Sequence, residues 1–263
     1  LYLDNPTKQD VKRIYVVPVT LNYHFVLEAP DLIEEYLQVK GKDRYFPEED
    51  KYGSWQLIRF LFRFFTTGSN ISVSIGAPLD VLGNEVDDDG NSLDAQGRIL
   101  DTREYFVSQG KLSIDYQREA EYTRMLSQKI VKEYHRINRV FASHLVAYVA
   151  FEMWQKKHPR LDLFTLLRLP EEELELEYLE FKTTFKKVRK EIYNLRENNK
   201  VYYATHLKGN ADKVINQGLL NVGAIHLNKP LLKNKKGNIV TRDLTLLYYY
   251  HNRLAGYDLE RFI

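Results

Sequence analysis

Ile14-Tyr15-Val16-Val17-Pro18-Val19-Thr20-Leu21-Asn22-Tyr23-His24 and Asn70-Ile71-Ser72-Val73-Ser74-Ile75-Gly76-Ala77-Pro78-Leu79-Asp80-Val81-Leu82-Gly83-Asn84 are the two stretches whose reading decides the fold. Both are strand-like, and each carries a proline where a sheet interior would not accept one. Proline has no backbone donor, so it sits at strand ends, edges or bulges, where a chain is re-aimed. The first run is apolar on both faces early on, as in a strand covered by helices on both sides of a parallel sheet. Between the two runs, Ala29 to Leu37 has helical spacing with acidic residues early. A second helix is predicted from Ser54 to Phe65. This alternation suits an α/β domain entered partway through.

The remainder of the chain reads differently. Residues 81–110 are turn-rich, with turn signals at Asp89-Gly90 and Gln96-Gly97, and read as an excursion or hairpin. Glu85, Asp87, Asp89 and Gly90 fall at the offsets of a calcium loop, but its twelfth position is Gln96 instead of a bidentate glutamate, so a solvated hairpin is the better reading. From residue 111 onward the pattern is mainly helical. Thr123, Leu126, Ile130, Tyr134 and Ile137 form one apolar stripe. Arg139 to Lys157 is apolar nearly all round and belongs at the centre of a bundle; it is short of the ~20 residues that span a bilayer. Pro170 is expected to open a long helix through Glu197, acidic at its start and basic at its end. A shorter helix from Asp212 to Leu220, a hairpin turning at Lys233-Asn234-Lys235-Lys236-Gly237-Asn238 and a closing segment from Leu244 to Leu254 complete the pattern. No internal repeat or low-complexity tract stands out. The expected organisation is therefore an α/β part at 1–80, a turn-rich part at 81–110 and an all-α part at 111–263.

Bulk composition narrows the function classes. The chain has 263 residues, 44% of them hydrophobic and 28% charged, with a formal net charge of +2. That balance is ordinary for a globular protein and too weak in charge to argue for nucleic acid. With no cysteine, disulfide and thiolate chemistry are excluded, which fits a reducing compartment. Leu1 to Pro6 carries no signal-peptide pattern, and an apolar strand arriving at Val16 reads as the C-terminal part of a longer protein.

The wording of both proline-bearing runs resembles the last blocks of the glycerol-3-phosphate O-acyltransferases, the bacterial membrane-associated type. Val16-Val17-Pro18-Val19-Thr20-Leu21-Asn22-Tyr23-His24 is similar to the family's fourth block, and Gly76-Ala77-Pro78-Leu79-Asp80-Val81 to its later Gly-x-Pro element. In many relatives that element carries an acid where Ala77 stands here. Asp115 to Glu119, Arg136 to Asn138 and Leu247 to Arg253 also resemble this group, so the similarity covers most of the chain. The resemblance implies transfer of a fatty acyl group from acyl-CoA or acyl-carrier protein to glycerol 3-phosphate, in phospholipid synthesis at the cytoplasmic face of the membrane. No cofactor, metal or nucleic acid is implied. Pro18, Gly76 and Pro78 would line the wall of the substrate pocket.

Acyl transfer needs a base to take the hydroxyl proton, which this family supplies through His-x4-Asp. None of the seven histidines has that spacing: the fifth residues after His24, His135, His144, His158, His206, His226 and His251 are Ala29, Val140, Val149, Leu163, Ala211, Leu231 and Gly256. The catalytic base is therefore expected upstream of Leu1. Trp55, Leu57, Ile58, Arg59, Leu61, Phe62, Arg63 and Phe65 read as an interfacial helix, large apolar groups on one side and arginines on another; packing on the sheet is the plainer alternative. The competing function is a non-catalytic binding module. One version is a winged-helix-like nucleic-acid binder between Asp162 and Thr241, with Lys233, Lys235 and Lys236 at the wing tip; another is a membrane scaffold.

Overall fold

The computed structural model describes residues 13–41, 71–108, 110–226 and 228–263. The fold is mixed α/β, about 51% helical, with small sheets and seven α-helices among the described residues. Contacts divide the chain into two compact units, residues 1–21 with 73–138 and residues 22–72 with 139–263. The expected divisions near residues 80 and 110 both fall inside the first unit.

In the first unit, strands β1 (Val19–Asn22) and β2 (Ser72–Ile75) pair as a two-stranded ribbon, of which Asn22 and Ser72 are counted with the second unit. An antiparallel bridge between Val16 and Leu79 extends it. The expectation of a first run buried on both faces is corrected. Val17, Val19 and Leu21 of one strand and Val73 and Ile75 of the other are exposed, while Pro18 and Gly76 are buried and Thr20 and Ser74 half-buried. The aliphatic side chains point outward and the small polar ones inward, the reverse of a sheet that packs one face on its own core.

Strands β3 (Glu85–Val86), β4 (Ser92–Leu93) and β5 (Ile99–Leu100) then form an antiparallel meander. The turns that build it share one seven-residue pattern, Asp-x-x-Gly-Asn/Arg followed by two strand residues, beginning at Asp80, Asp87 and Asp94. In each copy the aspartate Oδ1 accepts from the N–H groups two and four residues on, at 2.7–3.0 Å. The fourth residue turns left-handed, as at Gly83 (φ 84°) and Gly90 (φ 78°), where a side chain would be strained. An internal repeat is thus present where none was expected. Asp87 spends its carboxylate on Asp89, Asn91 and the Asn91 amide, so the solvated-hairpin reading, not the calcium loop, describes this segment. Asp80 is buried and also receives the Asn84 amide at 3.0 Å. Asp80→Ala should therefore cost about 2–3 kcal/mol in denaturant unfolding, against less than about 1 kcal/mol for Asp94→Ala on the exposed copy. Equal losses from the two would contradict this account.

Strands β6 (Val107–Ser108) and β7 (Lys111–Leu112) make a further hairpin, and helix α2 (Tyr116–Ile137) closes the unit. Asp115 caps α2 by accepting from the Gln117 and Arg118 N–H groups at 3.1 Å. Of its expected stripe, Ile137 is buried and Leu126 and Ile130 half-buried, while Thr123 and Tyr134 are exposed. Among the described residues the unit's buried hydrophobic side chains are Leu79, Leu82 and Ile137.

The second unit holds the large core. Its elements are α1 (Ala29–Gly41), β8 (Arg139–Val140), α3 (Ala142–Lys157), α4 (Leu163–Leu166), β9 (Glu175–Leu176), α5 (Tyr178–Glu197), β10 (Tyr202–Tyr203), α6 (Ala211–Asn221), β11 (Leu232–Lys233), β12 (Ile239–Val240) and α7 (Leu244–His251). From Ala142 to Trp154, α3 is buried at every position except Glu152, as its all-round apolar sequence requires. Helices α5, α6 and α7 pack around it. The expected all-α character holds for this core, but strands β8–β12 thread through it. The acidic run after Pro170 is not the first turn of the long helix. It forms one 3-10 turn and strand β9, with Leu174 and Leu176 buried, and Glu177 caps α5 by accepting from the Glu180 N–H at 2.8 Å. Strand β9 pairs with β12, which pairs with β11, all antiparallel.

Candidate functional site

The first candidate is the wall expected at Pro18, Gly76 and Pro78. The structure brings two of them together: the Gly76 N–H donates to the Pro18 carbonyl at 2.8 Å. Pro78, half-buried, precedes Leu79, whose N–H and carbonyl bond to Val16 at 2.9 and 2.8 Å. Neither proline interrupts a ladder bond, because each sits where the ribbon gives way to a bridge. A carboxylate does reach this turn, though not from position 77. Glu133 on α2 accepts from the Ala77 N–H at 3.1 Å. A Cβ at Gly76 would lie 2.7 Å from that carboxylate, so a larger residue here would push the Glu133 side chain aside. Arg136 binds Glu133 through Nε at 2.6 Å and through its terminal nitrogen at 2.5 Å. That pairing holds the Glu133 pKa below the usual carboxylate range. The contact joins residues 56 positions apart, which no spacing rule in the sequence marks.

The expected interfacial helix, Trp55, Leu57, Ile58, Arg59, Leu61, Phe62, Arg63 and Phe65, lies outside the described residues. Among the described residues no helix is long and apolar enough to cross a membrane.

A second candidate lies in the helical unit, at the N-terminal end of α3. His24 Nδ1 is 3.0 Å from Ser143 Oγ, a distance that suits a nucleophile and its base. The surroundings argue for a structural pair. Ser143 and His24 are both buried, and among the described residues no carboxylate bonds the second ring nitrogen of His24. Burial holds His24 down at about 4, with His206 nearby adding to the effect. Two further histidines finish the helix end. His144 Nδ1 accepts from the Phe141 N–H at 3.3 Å, while its Nε2 faces the Tyr23 carbonyl at 3.1 Å and must carry the proton. The ring is neutral, its pKa pushed by burial down to about 3. His206 Nε2 accepts from the Ala142 N–H at 3.2 Å. These rings satisfy amide donors that an α-helix leaves without partners at its start.

The third cluster sits where α3 meets α7. His251 Nε2 lies 2.6 Å from Glu152 Oε1, and the Tyr148 ring stacks on the imidazole at 4.9 Å. His226 Nε2 lies 2.9 Å from the Tyr250 hydroxyl, which also accepts from the Val26 N–H at 3.1 Å. Burial lowers His226 to about 4. An open cleft of about 510 Å³ lies beside α1, α4 and the start of α7, lined by Asp31, Glu34, Arg168, Glu171, Arg242 and Asp243 among others. Its lining mixes acids and bases. Among the described residues no group of histidines and carboxylates has the arrangement of a metal site. Comparison with protein-family models, with curated proteins and with solved structures finds no match.

Proposed function

We propose that the chain is the C-terminal part of a glycerol-3-phosphate 1-O-acyltransferase, acting with acyl-CoA or acyl-carrier protein at the cytoplasmic face of a membrane. The pairing of the two proline-bearing runs carries this reading, because two segments that resemble neighbouring blocks of that family lie side by side, Gly76 on Pro18. The outward aliphatic face of the ribbon supports it as well. Val17, Val19, Leu21, Val73 and Ile75 are what a strand offers to a covering layer in a larger α/β sheet. The reaction moves the acyl group from sulfur to the acceptor oxygen, with the hydroxyl proton passing to a base. His24 and His144 are buried and bound within the helical unit, which agrees with a base supplied from elsewhere. Purified residues 1–263 should therefore give no acylation of labelled glycerol 3-phosphate, and joining them to a segment bearing His-x4-Asp should restore it. Turnover by 1–263 alone would refute the assignment of the base. Silence from the joined protein would refute the acyltransferase reading.

A second reading, the winged-helix-like binder, is favoured by one observation. Between Asp162 and Thr241, helix α4, strand β9, helices α5 and α6 with β10 between them, and strands β11 and β12 follow one another, and β9 joins the hairpin in the sheet order β11-β12-β9, as in a winged helix. Fold alone does not assign a ligand. Duplex binding with a steep salt dependence would support this reading.

A further inference from the structure

The outer surface shared by α5, α6 and the β11–β12 hairpin is held together by a polar network. The Tyr178 hydroxyl donates to Asp212 Oδ1 at 2.7 Å and Lys182 to Asp212 Oδ2 at 2.7 Å. Lys233 donates to Asn216 Oδ1 at 2.9 Å and lies 3.9 Å above the Tyr178 ring. In the hairpin turn, Asn234 and Asn238 donate to Glu175 at 3.1 and 2.6 Å. Asp212 is thus matched by Lys182, and Glu175 is capped by two amides. The exposed charged residues that remain on these elements are chiefly cations, among them Lys186 on α5, Lys213 on α6, and Lys235 and Lys236 in the turn; the exposed acids are Glu177 and Glu180 at the start of α5, Glu180 lying 3.6 Å from Lys157, and Glu197 at its end. Beside them stand two leucines, each 66% exposed, Leu179 on α5 and Leu220 on α6. Helical spacing puts Leu179 on the side of Lys182 and Lys186, and Leu220 on the side of Lys213 and Asn216.

We propose that this face docks on an anionic lipid surface, with Lys186, Lys213, Lys235 and Lys236 among the headgroups and Leu179 and Leu220 entering the acyl boundary. Charge complementarity selects an anionic partner, and the leucines select lipid over nucleic acid. Exposed aliphatic side chains next to lysines are the composition of an interfacial surface, whereas a phosphodiester duplex gives them nothing to enter. The inference extends the membrane-associated reading above, and its test involves no turnover, so either can fail without the other.

The experiment is co-sedimentation of the chain with vesicles of phosphatidylcholine, with and without phosphatidylglycerol, at low and high salt. Binding should require phosphatidylglycerol and weaken with salt. Each lysine should contribute about fivefold, so the combined Lys213→Gln, Lys235→Gln, Lys236→Gln variant should bind roughly a hundredfold more weakly. The Leu179→Ser, Leu220→Ser variant should also release from vesicles while melting normally. Equal binding to both vesicle types, or unchanged binding by the lysine variant, would overturn the proposal. So would a lysine variant that loses binding to a DNA duplex but keeps its hold on vesicles, which would assign the face to nucleic acid.

Discussion

Replacing Gly218 by valine is expected to lower the stability of the helical unit by at least about 3 kcal/mol, enough to leave much of it unfolded in mild denaturant. Helix α6 crosses α3 at this glycine. A Cβ at position 218 would lie 2.6 Å from the Ala142 carbonyl oxygen and 2.7 Å from Val146 Cγ1. Neither neighbour has room to yield, since Ala142 and Val146 are both fully buried and α3 is enclosed by three other helices. Alanine in an exposed helix would gain about 1 kcal/mol over glycine from propensity, so even Gly218→Ala should be destabilising here through the clash alone. Urea unfolding followed by far-UV circular dichroism measures both. A Gly218→Val midpoint equal to that of the parent chain would show that the helices do not cross at this distance.

Acid should unfold the same unit well before the carboxylates that support it are protonated. His24 and His226 are held at about 4 and His144 at about 3, each mainly by burial, and His206 is lowered for the same reason. In the unfolded chain these rings titrate near 6.5. Above that value both states are neutral and the folded state loses nothing. As pH falls below 6.5 the unfolded chain takes up protons that the folded chain refuses, so stability declines until pH reaches the folded values near 4. A shift of this size is worth on the order of 3 kcal/mol for each of His24 and His226. Together that rivals the stability of a typical domain. The melting temperature should be flat above about pH 7 and fall steeply between about pH 6 and 4. His226→Gln keeps a polar partner for Tyr250 and removes one titration, so it should flatten that fall. A melting temperature constant from pH 7 to 4 would contradict neutral, buried rings.

Much of the helical unit was legible because its signals are local. The apolar run through Val140 to Trp154 could bury itself only as a central helix, and the Asn-x-x-Gly-Asn turn at Asn234 announces its hairpin. Strand β9 was hidden because nothing local favours it. Glutamates after a proline satisfy every rule for a helix start, and only pairing with β12, far along the chain, draws Glu175 and Leu176 into a sheet. The meander was concealed in another way. Asp80, Asp87 and Asp94 with Gly83, Gly90 and Gly97 spell its period openly, but Asp87 and Gly90 also fall, with Glu85 and Asp89, at calcium-loop offsets. Pro18 and Gly76 were singled out in the sequence and lie together in the structure, whereas Glu133 was not singled out, because its approach depends on how α2 lies on the turn. The outward face of the ribbon was misread because Ile14 to Val19 is apolar at consecutive positions, a pattern that suggests burial on both faces, whereas Val17, Val19 and Leu21 are exposed.

The seven-residue hairpin repeat also gives this chain a parity. In the meander Glu85 pairs with Leu93 and Leu93 with Ile99, while Val86 pairs with Ser92 and Ser92 with Leu100. Paired residues share a side of the sheet, so each copy of an odd-length unit places its last residue, Val86, Leu93 or Leu100, opposite to the one before. Loss or gain of a single copy would keep every turn bond, yet it would reverse the direction in which the chain leaves and exchange the two faces of all that follows. Two copies together restore both. Length in this segment is therefore free to drift by whole pairs of turns and is closed to single ones.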